Sequence, residues 1–203
     1  INDSLEIENS IFNGNSAYSF GGAIVSSNAL IKGSTFLNNE SETSSGGAVV
    51  NLYGNIDFSG VSKFENNIAG DSGGAIYATM ESTTNITGPV QFLNNKAKNG
   101  RGGAILAQGT FNINADDPLA PVVFEGNTDS TGSNAFHLDI GQGAAEDKVG
   151  TMNLNVSNGS KVIIADSISG LKGTKLNING TSSINDHVYF CLLYTSDAAD
   201  EAR

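Results

Sequence analysis

What most limits the folds open to this chain is that it repeats itself. An aromatic residue is followed three positions later by Asn, then by a polar turn, then by Gly-Gly-Ala and a β-branched residue. Full copies run from Phe12 to Ile24 (FNGNSAYSFGGAI), Phe36 to Val49, Phe64 to Ile76 and Phe92 to Ile105, and a worn copy runs from Phe124 to Phe136. The five Phe positions are separated by 24, 28, 28 and 32 residues, while Phe-to-Gly-Gly stays at 9 or 10 in the full copies. A tight motif on an elastic connection, at this period, predicts a solenoid, in which each unit buries its apolar face only by stacking on its neighbours.

Three short strand signals recur within each unit. The first begins at Gly-Gly-Ala (Gly22 to Val25, Gly47 to Val50, Gly74 to Tyr77, Gly103 to Leu106). The second is a brief alternating run marked by Leu30, by Ile56 and Phe58, by Ile86, and by Phe111 and Ile113. The third ends in the motif Phe, with an apolar residue such as Val61, Val90 or Val122 two or three positions before it. Period-two alternation bounded by Gly, Asn and Ser is a strand signature, and no segment carries a 3.6-residue apolar stripe. Three strands in about twenty-five residues close one turn of a parallel β-helix, with coils roughly 4.8 Å apart. The expected fold is all-β, a right-handed parallel β-helix (β-solenoid) of about seven coils. Strand patterning continues through Thr151 to Val156, Lys161 to Ala165 and Lys175 to Ile178. Gly141 to Gly150 reads as an excursion loop, and Asp116 to Pro121 as a corner, because prolines cannot donate to a ladder.

Each recurring residue has an expected structural part. Paired glycines (Gly21 and Gly22, Gly46 and Gly47, Gly73 and Gly74, Gly102 and Gly103) allow positive φ and a tight turn, and the small Ala23, Ala48, Ala75 and Ala104 limit bulk beside them. Ile24, Val49, Ile76 and Ile105 should point inward and stack on one another, as should Phe12, Phe36, Phe64, Phe92 and Phe124. Asn15, Asn39, Asn67, Asn95 and Asn127 should occupy corners, tolerate the left-handed region and form a hydrogen-bonded ladder along the axis.

The alternation of GGA[I/V] with Phe-x-x-Asn resembles the repeat of the polymorphic outer membrane protein family of chlamydiae, found also in other bacterial autotransporter passenger domains. The resemblance covers about residues 5–137, with 138–190 as degenerate coils of one passenger-type domain spanning 1–190. It implies a right-handed β-helical passenger exported through a C-terminal barrel, displayed at the cell surface or outer membrane, and adhesive toward a host-cell surface protein or glycan. Membrane contact would come only through a barrel or anchor outside this segment.

Composition narrows the remaining classes. A formal charge of −11 repels phosphate backbones and anionic bilayers, so nucleic acid is not an expected partner. No apolar run reaches the length of a membrane helix. The chain opens at Ile1 with no leader pattern and reads as an internal fragment. Residues 191–203 (CLLYTSDAADEAR) break the repeat composition and resemble read-through translation of a sequencing-library adapter, so they are read as non-native. They hold the only Cys, Cys191; without it there is neither a disulfide scaffold nor a Cys-ligated metal site.

Parallel β-helices also host polysaccharide lyases and glycoside hydrolases, which need converging carboxylates. The candidates are Asp116 with Asp117, Asp129, Asp139 beside His137, and Glu146 with Asp147. None recurs at equivalent coil positions, and solvated turn carboxylates account for them. His137 falls where Ile or Val stands in earlier repeats, give or take one position, and reads as a partly buried edge residue; His187 has no evident partner. No nucleophile elbow, phosphate loop or zinc spacing appears. The nonapeptide calcium repeat is excluded because Gly-Gly is followed by Ala and the period is about three times longer. The expectation is a non-enzymatic adhesin-like stalk with no catalytic residue, metal or cofactor.

Overall fold

The computed structural model describes residues 4–140, 149–181 and 185–191. These residues form strands and turns with no helix, wound as a parallel β-solenoid of three sheets. The seven-stranded phenylalanine sheet stacks Ile11–Asn13, Thr35–Leu37, Ser62–Glu65, Val90–Leu93, Val122–Glu125, Lys161–Ile164 and His187–Phe190 in chain order. An eleven-stranded sheet carries both other runs. Its first part follows each Gly-Gly-Ala, as in Ile76–Ala78 and Ile105–Ala107, and its second part includes Ser82–Thr87, Thr110–Ala115, Thr151–Val156 and Lys175–Gly180. In two coils these parts fuse into single strands, Ile24–Lys32 and Val49–Ser59.

The third sheet is one the sequence did not suggest. Two-residue pairings at Ser16–Ala17, Glu40–Ser41, Ile68–Ala69, Lys96–Ala97 and Thr128–Asp129 follow each motif Asn and end on an antiparallel pairing with Gly132–Ser133. Runs this short carry no alternation to read. Strands after Gly-Gly-Ala begin at the β-branched residue; the glycines are turn.

Like residues stack along the core. Phe12, Phe36, Phe64, Phe92 and Phe124 lie face to face with centroids 5.0, 4.8, 4.9 and 4.8 Å apart and planes within 6°. That spacing is the coil rise itself, so backbone pairing fixes the ring geometry. Phe58 and Phe136 meet this column edge-on at Phe64 and Phe124. Ile164 and then Phe190 continue the register beyond Phe124. Ile24, Val49, Ile76 and Ile105 form a second buried column, joined by Phe136. Each fully buried ring or branched side chain contributes about 1.5 to 3 kcal/mol, which only stacking makes available to units this small.

Two apolar markers face the other way. Leu30 points outward and is 44% exposed, while Ala29 and Ile31 take the inward positions; Val61 is 71% exposed, and Ser62 is buried in its place. Two positions before the Phe is an inward site and three is not, as Val90 and Val122 show. Asp116 to Pro121 leaves the sheets between Ala115 and Val122 with Leu119 exposed. The expected excursion loop, with Glu146 and Asp147, lies almost wholly outside the described residues, as does the tail beyond Cys191.

Candidate functional site

The two glycines of each motif are required for different reasons. Gly73 has φ 64°, a left-handed turn that costs Gly nothing. Gly74 has no positive φ, but a Cβ there would fall on the carbonyl oxygen of Gly103, the equivalent glycine one coil on. Gly22 and Gly47 stand in the same relation to Gly47 and Gly74. Ala48, Ala75 and Ala104 are fully buried and Ala23 partly so, and each pairs through the backbone with its successor.

The motif asparagines form an interior ladder. In Asn39, the backbone N–H and the side-chain Nδ2 both donate to Asn67 Oδ1, at 3.0 and 2.9 Å, while Nδ2 also donates to the Phe12 carbonyl. Asn67, Asn95 and Asn127 repeat this arrangement, and Asn15 begins it with the same pair of bonds to Asn39. Asn39, Asn67, Asn95 and Asn127 are fully buried. The left-handed residue is the one before: Gly14, Asn38, Asn66, Asn94 and Gly126 have φ between 54° and 72°. Turn and ladder are thus divided between two neighbours, whereas the sequence placed both on one Asn.

The ladder ends on Asp166. Its Oδ2 accepts Asn127 N–H and Nδ2 at 2.9 and 2.7 Å, and its Oδ1 accepts Gly126 N–H and Ser133 Oγ. An acceptor-only side chain suits the end of a row whose members all donate forward.

A second set of ladders lies outside, on the strands following the fused ones. Asn177, Asn153, Asn112 and Asn85 each donate Nδ2 to the preceding member, at 2.6 to 2.7 Å, and the row ends on Asp57. Two residues along, Asn179 and Asn155 donate to Asn155 and Asn114, with Thr87 beyond at 3.4 Å from Asn114. These rows run opposite to the interior one.

Asp117, Asp129 and Asp139 each accept a turn N–H, and Asp129 and Asp139 also bond the preceding coil. Asp129 accepts Thr131 N–H and Thr131 Oγ1 on Oδ1 and Gly102 N–H on Oδ2. Asp139 accepts Ile140 N–H and Gln108 Nε2, and Asp117 accepts Leu119 N–H. Asp116 and Asp117 sit on the corner after Ala115; Asp129 lies in the short sheet and Asp139 past Phe136–Leu138. Among the described residues no group of three or more His, Cys, Asp or Glu is placed to hold a metal.

His137 stands one place from where the repeats suggested, pairing with Leu106, while Phe136 occupies the Ile position. It is buried, its Nδ1 is 2.7 Å from Ser169 Oγ, and Asn134 Nδ2 donates to the same hydroxyl at 2.8 Å. Burial lowers the His137 pKa from its ordinary 6.5; Asp139 and Asp129 oppose this and Arg101 adds to it. On the same outward column Tyr77 stacks on Phe20 at 6.4 Å and donates to Gln108, which donates to Asp139. Burial first, then Asp139, raises its pKa.

The model of the Chlamydia polymorphic membrane protein repeat matches residues 9–27, 62–79 and 89–108. The chain is 31% identical to the probable outer membrane protein PmpB of Chlamydia muridarum over 141 residues, 59% of this chain and 8% of that protein. It is 43% identical to the probable outer membrane protein PmpG of the same organism over 68 residues, 34% of this chain and 7% of that protein. The chain therefore spans less than a tenth of the length of these relatives. No solved structure matches it.

Proposed function

We propose that this chain, three stretches of which match the Chlamydia polymorphic membrane protein repeat, is a segment of a surface-displayed passenger that acts as a non-enzymatic, adhesin-like stalk. The observation that carries this reading is the unbroken column from Phe12 to Phe124, held at one coil rise from ring to ring. It makes a rod whose outward residues change from coil to coil while its interior does not. Two relatives named as probable outer membrane proteins support placing that rod at the bacterial surface. The partner class is a host-cell surface protein or glycan, engaged by many weak repeated contacts. The carbohydrate-active alternative draws no support from Asp117, Asp129 and Asp139, each of which is tied up in hydrogen bonds to its own turn or the preceding coil. Beads coated with the full chain should adhere to cultured epithelial cells more than beads coated with an unrelated protein of like charge. Equal adhesion would refute the adhesive reading.

A further inference from the structure

The outer asparagine rows belong to a larger pattern that neither repeat motif requires. Outward positions lie two residues apart on Ser82–Thr87, Thr110–Ala115, Thr151–Val156 and Lys175–Gly180, three to a strand in register. All but Lys175 are Asn or Thr. In the coils before them the same columns hold Leu30, Asp57, Glu6 and Glu8 with its partner Lys32. A chain of net charge −11 thus presents a flat field of amides and hydroxyls with no carboxylate and no apolar side chain inside it.

We propose that this field is a binding surface for a neutral oligosaccharide chain lying along the solenoid axis. Within the row, Asn112 and Asn153 each spend one side-chain N–H and one oxygen lone pair on their neighbours. Each of these two therefore retains one donor and one acceptor, the pairing that sugar hydroxyls offer in return. The groups recur about every 4.8 Å along the axis and roughly 7 Å across it, a regular grid suited to a regular polymer. Their hydrogen bonds to one another hold the side chains in place before any ligand arrives, so little rotamer freedom is lost on binding. A protein partner would need an aromatic or aliphatic anchor, and the field offers none. Sulfated or sialylated chains would lose hydration along the whole field for a single counter-charge, Lys175 on its last strand, next to an acidic rod. The inference rests on the adhesive reading and names the face and the chemistry that serve it.

The test is binding of the full chain to an immobilised panel of neutral hexasaccharides (glucose-, mannose- and N-acetylglucosamine-based) beside sialylated and sulfated chains. Neutral chains should be retained, with little sensitivity to salt. The double variant Asn112→Ala/Asn153→Ala should weaken retention at least tenfold, while Gln91→Ala on the phenylalanine sheet should leave it unchanged. Thr110→Glu leaves every row amide in place and adds a carboxylate to the field. It should weaken binding similarly with its thermal transition preserved, which separates a lost surface from a lost fold. Absence of binding to every neutral chain, preference for charged ones, or wild-type binding by both field variants would overturn the proposal. Bead adhesion that persists in those cases would leave the adhesive reading standing and remove only the glycan field.

Discussion

Asn127 donates both its backbone N–H and its side-chain amide to a single oxygen of Asp166, and that carboxylate accepts two further bonds on its other oxygen. Every earlier rung is an amide that must donate onward; the last needs only to accept. Asp166→Asn keeps an oxygen on Asn127 only by turning its NH₂ toward Gly126 N–H, and so loses that bond and sets two donors against each other. The expected loss is about 1 to 3 kcal/mol in chemical denaturation. Unchanged stability would mean the row does not depend on its terminus.

Phe64 is fully buried between Phe36 and Phe92, with Phe58 against its edge. Truncation leaves a void that rings spaced by the backbone cannot close. Phe64→Ala should therefore cost about 3 to 5 kcal/mol, while Phe12→Ala at the half-exposed end should cost less. Equal costs would show that the rings do not act as a stack.

At Gly74 a Cβ would strike the neighbouring coil, whereas at Gly73 it would strike the Ile76 carbonyl of its own coil, on a left-handed backbone besides. Gly73→Asn and Gly73→Ala should both be damaging, because either brings a Cβ onto the Ile76 carbonyl oxygen, and the tolerance of Asn for the left-handed region does not relieve that clash. At Gly74, Asn and Ala should be equally damaging, because either brings a Cβ onto the Gly103 carbonyl. Thermal melts of the four variants compare the pairs directly.

His137 has a pKa below its ordinary value because burial disfavours the imidazolium. The unfolded chain then protonates first as pH falls. Stability is full above the ordinary pKa of 6.5 and declines as pH drops from there through the lower folded-state pKa. Removing the titration with His137→Gln should flatten that segment of a stability-versus-pH curve. A slope that survives the substitution would assign it to other groups. Asp139, Asp129 and Arg101 are the charges that act on the ring.

Spacing alone revealed the solenoid, its three main strand runs and the inward Phe and Ile columns, because those residues recur wherever one coil must fit the next. Leu30 and Val61 misled because an apolar residue near a strand carries no face of its own; strand register decides, and it assigns burial to Ile31, opposite Phe58, and to Ser62, two before Phe64. Asp166 escaped notice because it lies two residues after Ile164, which stands in the Phe column, whereas every ladder Asn lies three after its Phe; the left-handed residue between is missing. The short sheet at Ile68–Ala69 is held by pairing between coils, and two residues are too few to show a period. The outer field was visible as Asn-x-Asn in successive strands, yet only strand register turns three such runs into a grid.

Along the interior ladder the step from one rung to the next grows from 24 residues between Asn15 and Asn39 to 39 between Asn127 and Asp166, while the hydrogen bonds keep their lengths. Contour length and axial advance are uncoupled, and each added residue of loop costs little closure entropy. The molecule is therefore a rack with shelves of adjustable depth. Selection can lengthen, shorten or rewrite what one shelf holds, and the shelves above and below stay in register.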